Sequence, residues 1–162
     1  MKTRTIVALG AAALMASVAA VAARQVGERR MTPGEVQWPS GASSAVGTSA
    51  VAGIETVMLK GDPSKPGLYT MLLRVGPNTR IQAHSHADDR VGTVISGMWY
   101  FGYGRAFDER QLKALPPGSY YTEPPNAHHF AMTRSEGVVV QVTGVGPSST
   151  TYADPANEPT RR

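Results

Sequence analysis

No cysteine occurs anywhere in the 162 residues. Its absence excludes disulfide staples, thiolate metal sites, cysteine nucleophiles and a lipid-modified cysteine behind a leader. Any metal must therefore be held by nitrogen and oxygen. Charge is scarce too, with only 17% charged side chains and a formal net charge of +4. Lys2 and Arg4 belong to an N-terminal segment that reads as removable, which leaves 14 basic against 12 acidic side chains. Nothing in that balance points to nucleic acid as a partner.

The removable segment is residues 1–23, where the two cations precede an apolar run from Ile6 to Ala22 that closes in small residues. That is the pattern of a cleavable secretory signal peptide. The run is about 17 residues, rich in alanine rather than leucine, and so short for a membrane span. The expectation is a periplasmic or secreted protein with no stable membrane anchor after cleavage.

What remains suffices for one domain and is too short for two ordinary ones. Residues 24–54, rich in Gly, Ser, Ala and Pro, read as a flexible N-terminal arm with a short strand or docking contact at Glu35–Trp38. From Glu55 onward, short β-branched, aromatic and aliphatic runs alternate with turn signals every eight to twelve residues. Strands are expected at 56–60, 68–75, 82–86, 91–96, 98–103, 119–122, 129–133 and 138–143, with a strand-like segment near 149–152. This spacing predicts an all-β sandwich or barrel over residues 55–152, followed by a frayed tail at 153–162. One short connecting helix is expected at Asp108–Leu115, with Asp108 as cap, Gln111 completing a capping box and Phe107 stapled onto Leu112.

All four histidines fall in two short segments, His84 with His86 and His128 with His129. In a strand, residues i and i+2 share a face, so His84 and His86 direct two imidazoles into one cavity while Ser85 points away. A third ligand must come from elsewhere, and His129 opens another strand that a closing barrel can bring alongside. Neighbouring His128 and His129 face opposite ways, so at most one of them joins. Three neutral imidazoles suit one divalent ion of Zn, Fe, Ni, Cu or Mn without choosing among them. No organic cofactor is indicated.

These residues also carry a family resemblance. Gly76, His84-Ser85-His86, Arg90 and Gly97 are similar to the first cupin motif, and Gly118 to Pro124 with Asn126 and His129 resemble the second, with Asn126 where glycine is usual. Asp62–Gly67 and Thr93–Gly97 resemble small single-domain bacterial cupins. The resemblance implies a cupin-type jelly-roll β-barrel and says little about the reaction, because such folds serve many chemistries. It also exposes a departure, since Arg90 stands where the motif supplies a glutamate ligand. A guanidinium has no lone pair to offer and repels a cation. Three outcomes stay open: a three-histidine centre with Arg90 paired to Asp88 or Asp89 or gripping a substrate oxygen, Asp88 or Asp89 as fourth ligand, or a site that has lost its metal.

Gln82, Tyr100 and Tyr121 are further candidates for supporting the site or binding substrate. Glu123 can carry protons if it faces inward, and otherwise is a turn carboxylate, the favoured reading. Met71, Leu73, Val94, Ile95 and Trp99 are among the residues expected to supply apolar bulk. Two functions follow from different classes: a metal-dependent enzyme, dioxygenase-like or of other cupin chemistry, acting on a small oxygen-rich substrate, or a non-catalytic, metal-free binding or sensing module. A homodimer paired through sheet edges is the expected assembly.

Overall fold

The computed structural model describes residues 27–39 and 45–159, so the signal peptide expected at 1–23 lies outside the described residues. The chain divides into two units, up to Val36 and from Gln37. The described part of the first holds one 3₁₀ turn at Pro33–Glu35, where the backbone N–H and the hydroxyl of Thr32 both donate to Glu35 Oε2, at 2.7 and 2.8 Å.

The second unit is built from two five-stranded antiparallel sheets. One sheet contains β1 (Ile54–Lys60), β2 (Gly67–Val75), β9 (Val138–Gly146), β4 (Arg90–Gly97) and β7 (Tyr120–Glu123), in that spatial order. The other contains β10 (Thr150–Tyr152), β3 (Arg80–His86), β8 (His129–Met132), β5 (Trp99–Tyr103) and β6 (Lys113–Leu115). Apart from the consecutive pairs β1–β2 and β5–β6, neighbours within each sheet come from distant parts of the chain, the interleaving expected of a jelly roll.

Period-two patterning decides which side chains turn inward. In β9, Val138, Val140 and Val142 are buried while the residues between them are partly exposed. They meet Tyr69, Met71 and Val75 of β2, Val94 of β4 and Trp99 and Phe101 of β5 in one core cluster. Gly97 makes the tight β4–β5 turn at φ +75°, and a Cβ there would lie 2.1 Å from the Gly137 carbonyl oxygen.

Three sequence expectations change. The predicted helix is a single 3₁₀ turn, Glu109–Gln111, capped by Asp108 accepting from the Arg110 N–H at 3.0 Å. Residues 113–115 instead pair with Trp99–Phe101 as β6, and an isolated turn cannot repay helix nucleation against a ready-made ladder. The observed contacts of Phe107 are with the Phe130 ring, 5.1 Å away, and the Arg80 guanidinium. Ile95 is 44% exposed, because Val94 beside it takes the inward face and alternation along β4 turns its neighbour outward. At Glu35–Trp38 there is no ladder; Trp38 makes a docking contact, its ring under the Arg74 guanidinium at 4.5 Å.

Candidate metal centre

β3 and β8 pair so that His84 lies directly opposite His129, with His86 two residues along. All three imidazoles are buried and offer ligand atoms within 4.8 Å of one another. Each Nδ1 faces a backbone carbonyl: Gln82 at 2.8 Å, Ser149 at 2.9 Å and Ala127 at 3.2 Å for His84, His86 and His129 in turn. A carbonyl only accepts, so the proton resides on Nδ1, and the lone pair belongs to Nε2. Burial draws the His84 pKa down to about 3, helped by His129 beside it. Burial and then Arg90 depress His86, and burial also lowers His129. Three neutral imidazoles thus offer lone pairs, and His86 Nε2 is buried with no hydrogen-bond partner. An orphaned acceptor on His86 beside the Nε2 atoms of two further imidazoles fits a divalent transition metal.

The carboxylate near these rings is Glu123. It ends β7 directly opposite Arg90 on β4, and both are buried. Arg90 donates from Nε to Glu123 Oε2 at 2.8 Å and from Nη2 to the same oxygen, while Nη1 donates to the Gly47 carbonyl. Glu123 Oε2 lies 3.7 Å from Nε2 of both His86 and His129. Burial alone would push this carboxyl up, but the Arg90 guanidinium overcomes it and holds Glu123 below its ordinary range. Arg90 therefore turns neither to Asp88 nor to Asp89. Asp88 takes Tyr69 OH on one oxygen and Ser148 Oγ on the other, both at 2.6 Å, and Asp89 is exposed. Neither belongs to the histidine group.

Strand parity by itself would set Gln82 on the histidine face, but a register shift between Ile81 and His84 breaks that parity. Ile81 lines the cavity instead, and Gln82 contributes its carbonyl to His84. Tyr121 does line the cavity, its ring seated over Gly92, where a Cβ would stand 2.1 Å from Tyr121 Cζ. Tyr100 is only half-buried between inward Trp99 and Phe101, and lies under the Arg134 guanidinium at 4.6 Å. His128 is directed to Arg105, 3.4 Å from its Nε2. Asn126, at the motif's usual glycine, adopts φ +59°, a left-handed conformation asparagine tolerates better than most residues. Its N–H donates to the His86 carbonyl at 2.7 Å, tying the second motif to the first.

The free space among these side chains is about 30 Å³, room for an ion and a water rather than a large ligand. Gly47, Thr48 and Ser49 close one side, and each of their carbonyls is fastened by a side chain: Arg90, Thr150 Oγ1 at 2.9 Å and Tyr152 OH at 2.6 Å. Beyond this wall lies an outer pocket of about 290 Å³ that shares the same three residues. Sequence reasoning missed the wall, and for Glu123 it favoured a turn carboxylate over the inward aim that the fold shows. The available signal was parity, because Glu123 is two residues from inward Tyr121.

Residues 42–149 match the family model described as the ChrR cupin-like domain. Solved structures of similar fold include a cupin-superfamily sugar phosphate isomerase from Silicibacter pomeroyi (TM-score 0.57, 17% identity, 78% of this chain and 82% of that one). Another is the polyketide cyclase RemF from Streptomyces resistomycificus (TM-score 0.56, 15% identity, 79% and 88%). A third is the DMSP lyase DddQ from Ruegeria pomeroyi (TM-score 0.56, 15% identity, 76% of this chain), of whose length this chain spans 63%. No curated protein matches the chain.

Proposed function

The chain belongs to the ChrR cupin-like domain family, and from that premise we propose that it is a metal-dependent enzyme acting on a small oxygen-rich substrate such as an enol, diketone, phenol or sugar. The supporting observation is the set of three Nε2 lone pairs on His84, His86 and His129, aimed by carbonyl-held tautomers into one buried space. An isomerase, a cyclase and a lyase share the fold at 15 to 17% identity, which bears on the fold alone, so the chemistry is read from the site.

His84, His86 and His129 would hold the ion. When bound, it supplies Lewis acidity and, if redox-active, electron transfer as for a dioxygenase. The surrounding residues prepare the place for that chemistry. Leu73, Val75, Ile81, Trp99 and Phe101 wall it with apolar surface and exclude water. The Arg90–Glu123 pair is neutral overall, so a divalent ion would leave the pocket positive and favour an anionic, enolate-like substrate oxygen. The size of the inner space means only the chelating end of a substrate enters while the Gly47–Ser49 wall is closed.

Elemental analysis of the purified protein beside His84→Ala tests the centre, and oxygen uptake or ultraviolet changes over a panel of enolisable substrates test the reaction. A folded, active protein without metal would exclude the proposal. A folded, inactive protein whose melting temperature ignores chelator would favour a metal-free binding module.

A further inference from the structure

Granted the three-imidazole centre proposed above, we infer that Glu123 supplies its fourth donor from β7, the carboxylate being shared between the ion and the Arg90 guanidinium. Among the described residues, Asp88 and Glu123 are the buried carboxylates, and Asp88 has both oxygens engaged by Tyr69 and Ser148. Glu123 Oε2 stands at the same 3.7 Å from two of the three Nε2 atoms. Adjacent donors on a four-coordinate zinc with bonds of about 2.1 Å are roughly 3.4 Å apart. The oxygen is therefore within a few tenths of an ångström of that spacing to His86 and His129, but it stands outside the 4.8 Å cluster of the three imidazoles, so a side-chain rotation toward His84 has to complete the set.

The charge count points the same way. Neutral imidazoles bring no negative charge, and a dication taken out of water without an anion is costly. Arg90 would oppose that ion, yet its donors are turned to Glu123 and to the Gly47 carbonyl. A carboxylate has about four lone-pair sites, so accepting from Arg90 leaves capacity for a metal. The β4–β7 register places the cation on β4 and the anion on β7, and the anion is the one that reaches the rings.

Zinc titration calorimetry on chelator-treated protein tests this in wild type, Arg90→Gln, Glu123→Gln and Arg90→Gln/Glu123→Gln. The double variant removes both charges together and so avoids stranding one of them. We expect Arg90→Gln to bind zinc at least as tightly as wild type, and both Glu123→Gln variants to bind it roughly 10- to 100-fold more weakly. The zinc-induced rise in melting temperature should shrink in parallel. If the folded double variant binds zinc as tightly as Arg90→Gln, Glu123 is not a ligand although the centre stands. If wild type binds no zinc, the centre and this assignment fall together.

Discussion

Arg90 and Glu123 face each other across the β4–β7 ladder, and Glu123 Oε2 accepts the Arg90 Nε–H at 2.8 Å, with both side chains buried. Removing one partner strands a buried charge, which costs about 3–5 kcal/mol, whereas removing both is often near neutral. Urea unfolding of metal-free protein should therefore rank Arg90→Gln well below wild type, with Arg90→Gln/Glu123→Gln recovering much of the loss. Additive losses would contradict a coupled pair.

His84→Ala removes a Nε2 donor from the group. The variant should contain less than a tenth of the wild-type metal, judged by about 1.4 kcal/mol per tenfold change in affinity. Its melting temperature should no longer respond to chelator. Wild-type metal content in the variant would place the ion elsewhere.

Burial holds the His84 pKa at about 3 and lowers His86 and His129 as well. Below about 6.5 the unfolded chain gains protons on these rings that the folded chain refuses, so stability falls with pH from there toward 3. Glu123, lowered by Arg90 against burial, acts in the same direction below the ordinary carboxylate range. The unfolding free energy of metal-free protein, read from urea titrations, should fall steadily from pH 7 to pH 4, by several kcal/mol in total. A flat profile would show that the rings are protonated in the folded state.

Gly92 leaves room for the Tyr121 ring. Gly92→Ala should cost about 1–3 kcal/mol through overpacking, measured by chemical denaturation, and Gly92→Ala/Tyr121→Leu should cost less than the single change. Equal costs would mean that the two residues do not press on each other.

Gln82→Ala, Tyr100→Phe and Asp89→Asn change side chains that the fold keeps away from the imidazoles. Each should keep wild-type metal content by elemental analysis and stay within about 0.5 kcal/mol of wild-type stability. Metal loss in any of them would revise the boundaries of the site.

The all-β architecture was readable because short β-branched and aromatic runs such as Val138–Val142 recur between turn signals, a local pattern that needs no knowledge of partners. His84 and His86 were readable for the same reason. What escaped was set by pairing between distant segments. The register shift after Ile81 moves Gln82 off the cavity face, and nothing in the local sequence marks it. Glu123 finds Arg90 only because β4 and β7 are neighbours in space, so the carboxylate absent at position 90 was sought at 88 and 89 instead of across the sheet. Asn126 could be flagged as a departure from glycine, but its left-handed backbone became visible only in the fold.

The wall at Gly47–Ser49 is fastened by its backbone: Arg90, Thr150 and Tyr152 all grip carbonyl oxygens. Anchorage and lining are therefore separate properties of the same segment. The Thr48 hydroxyl adds a hold of its own on the Ala45 carbonyl at 2.8 Å, so Ser49, which lines both the inner space and the outer pocket, is the position where the choice of guest molecule can drift while the barrel and its histidines stay the same.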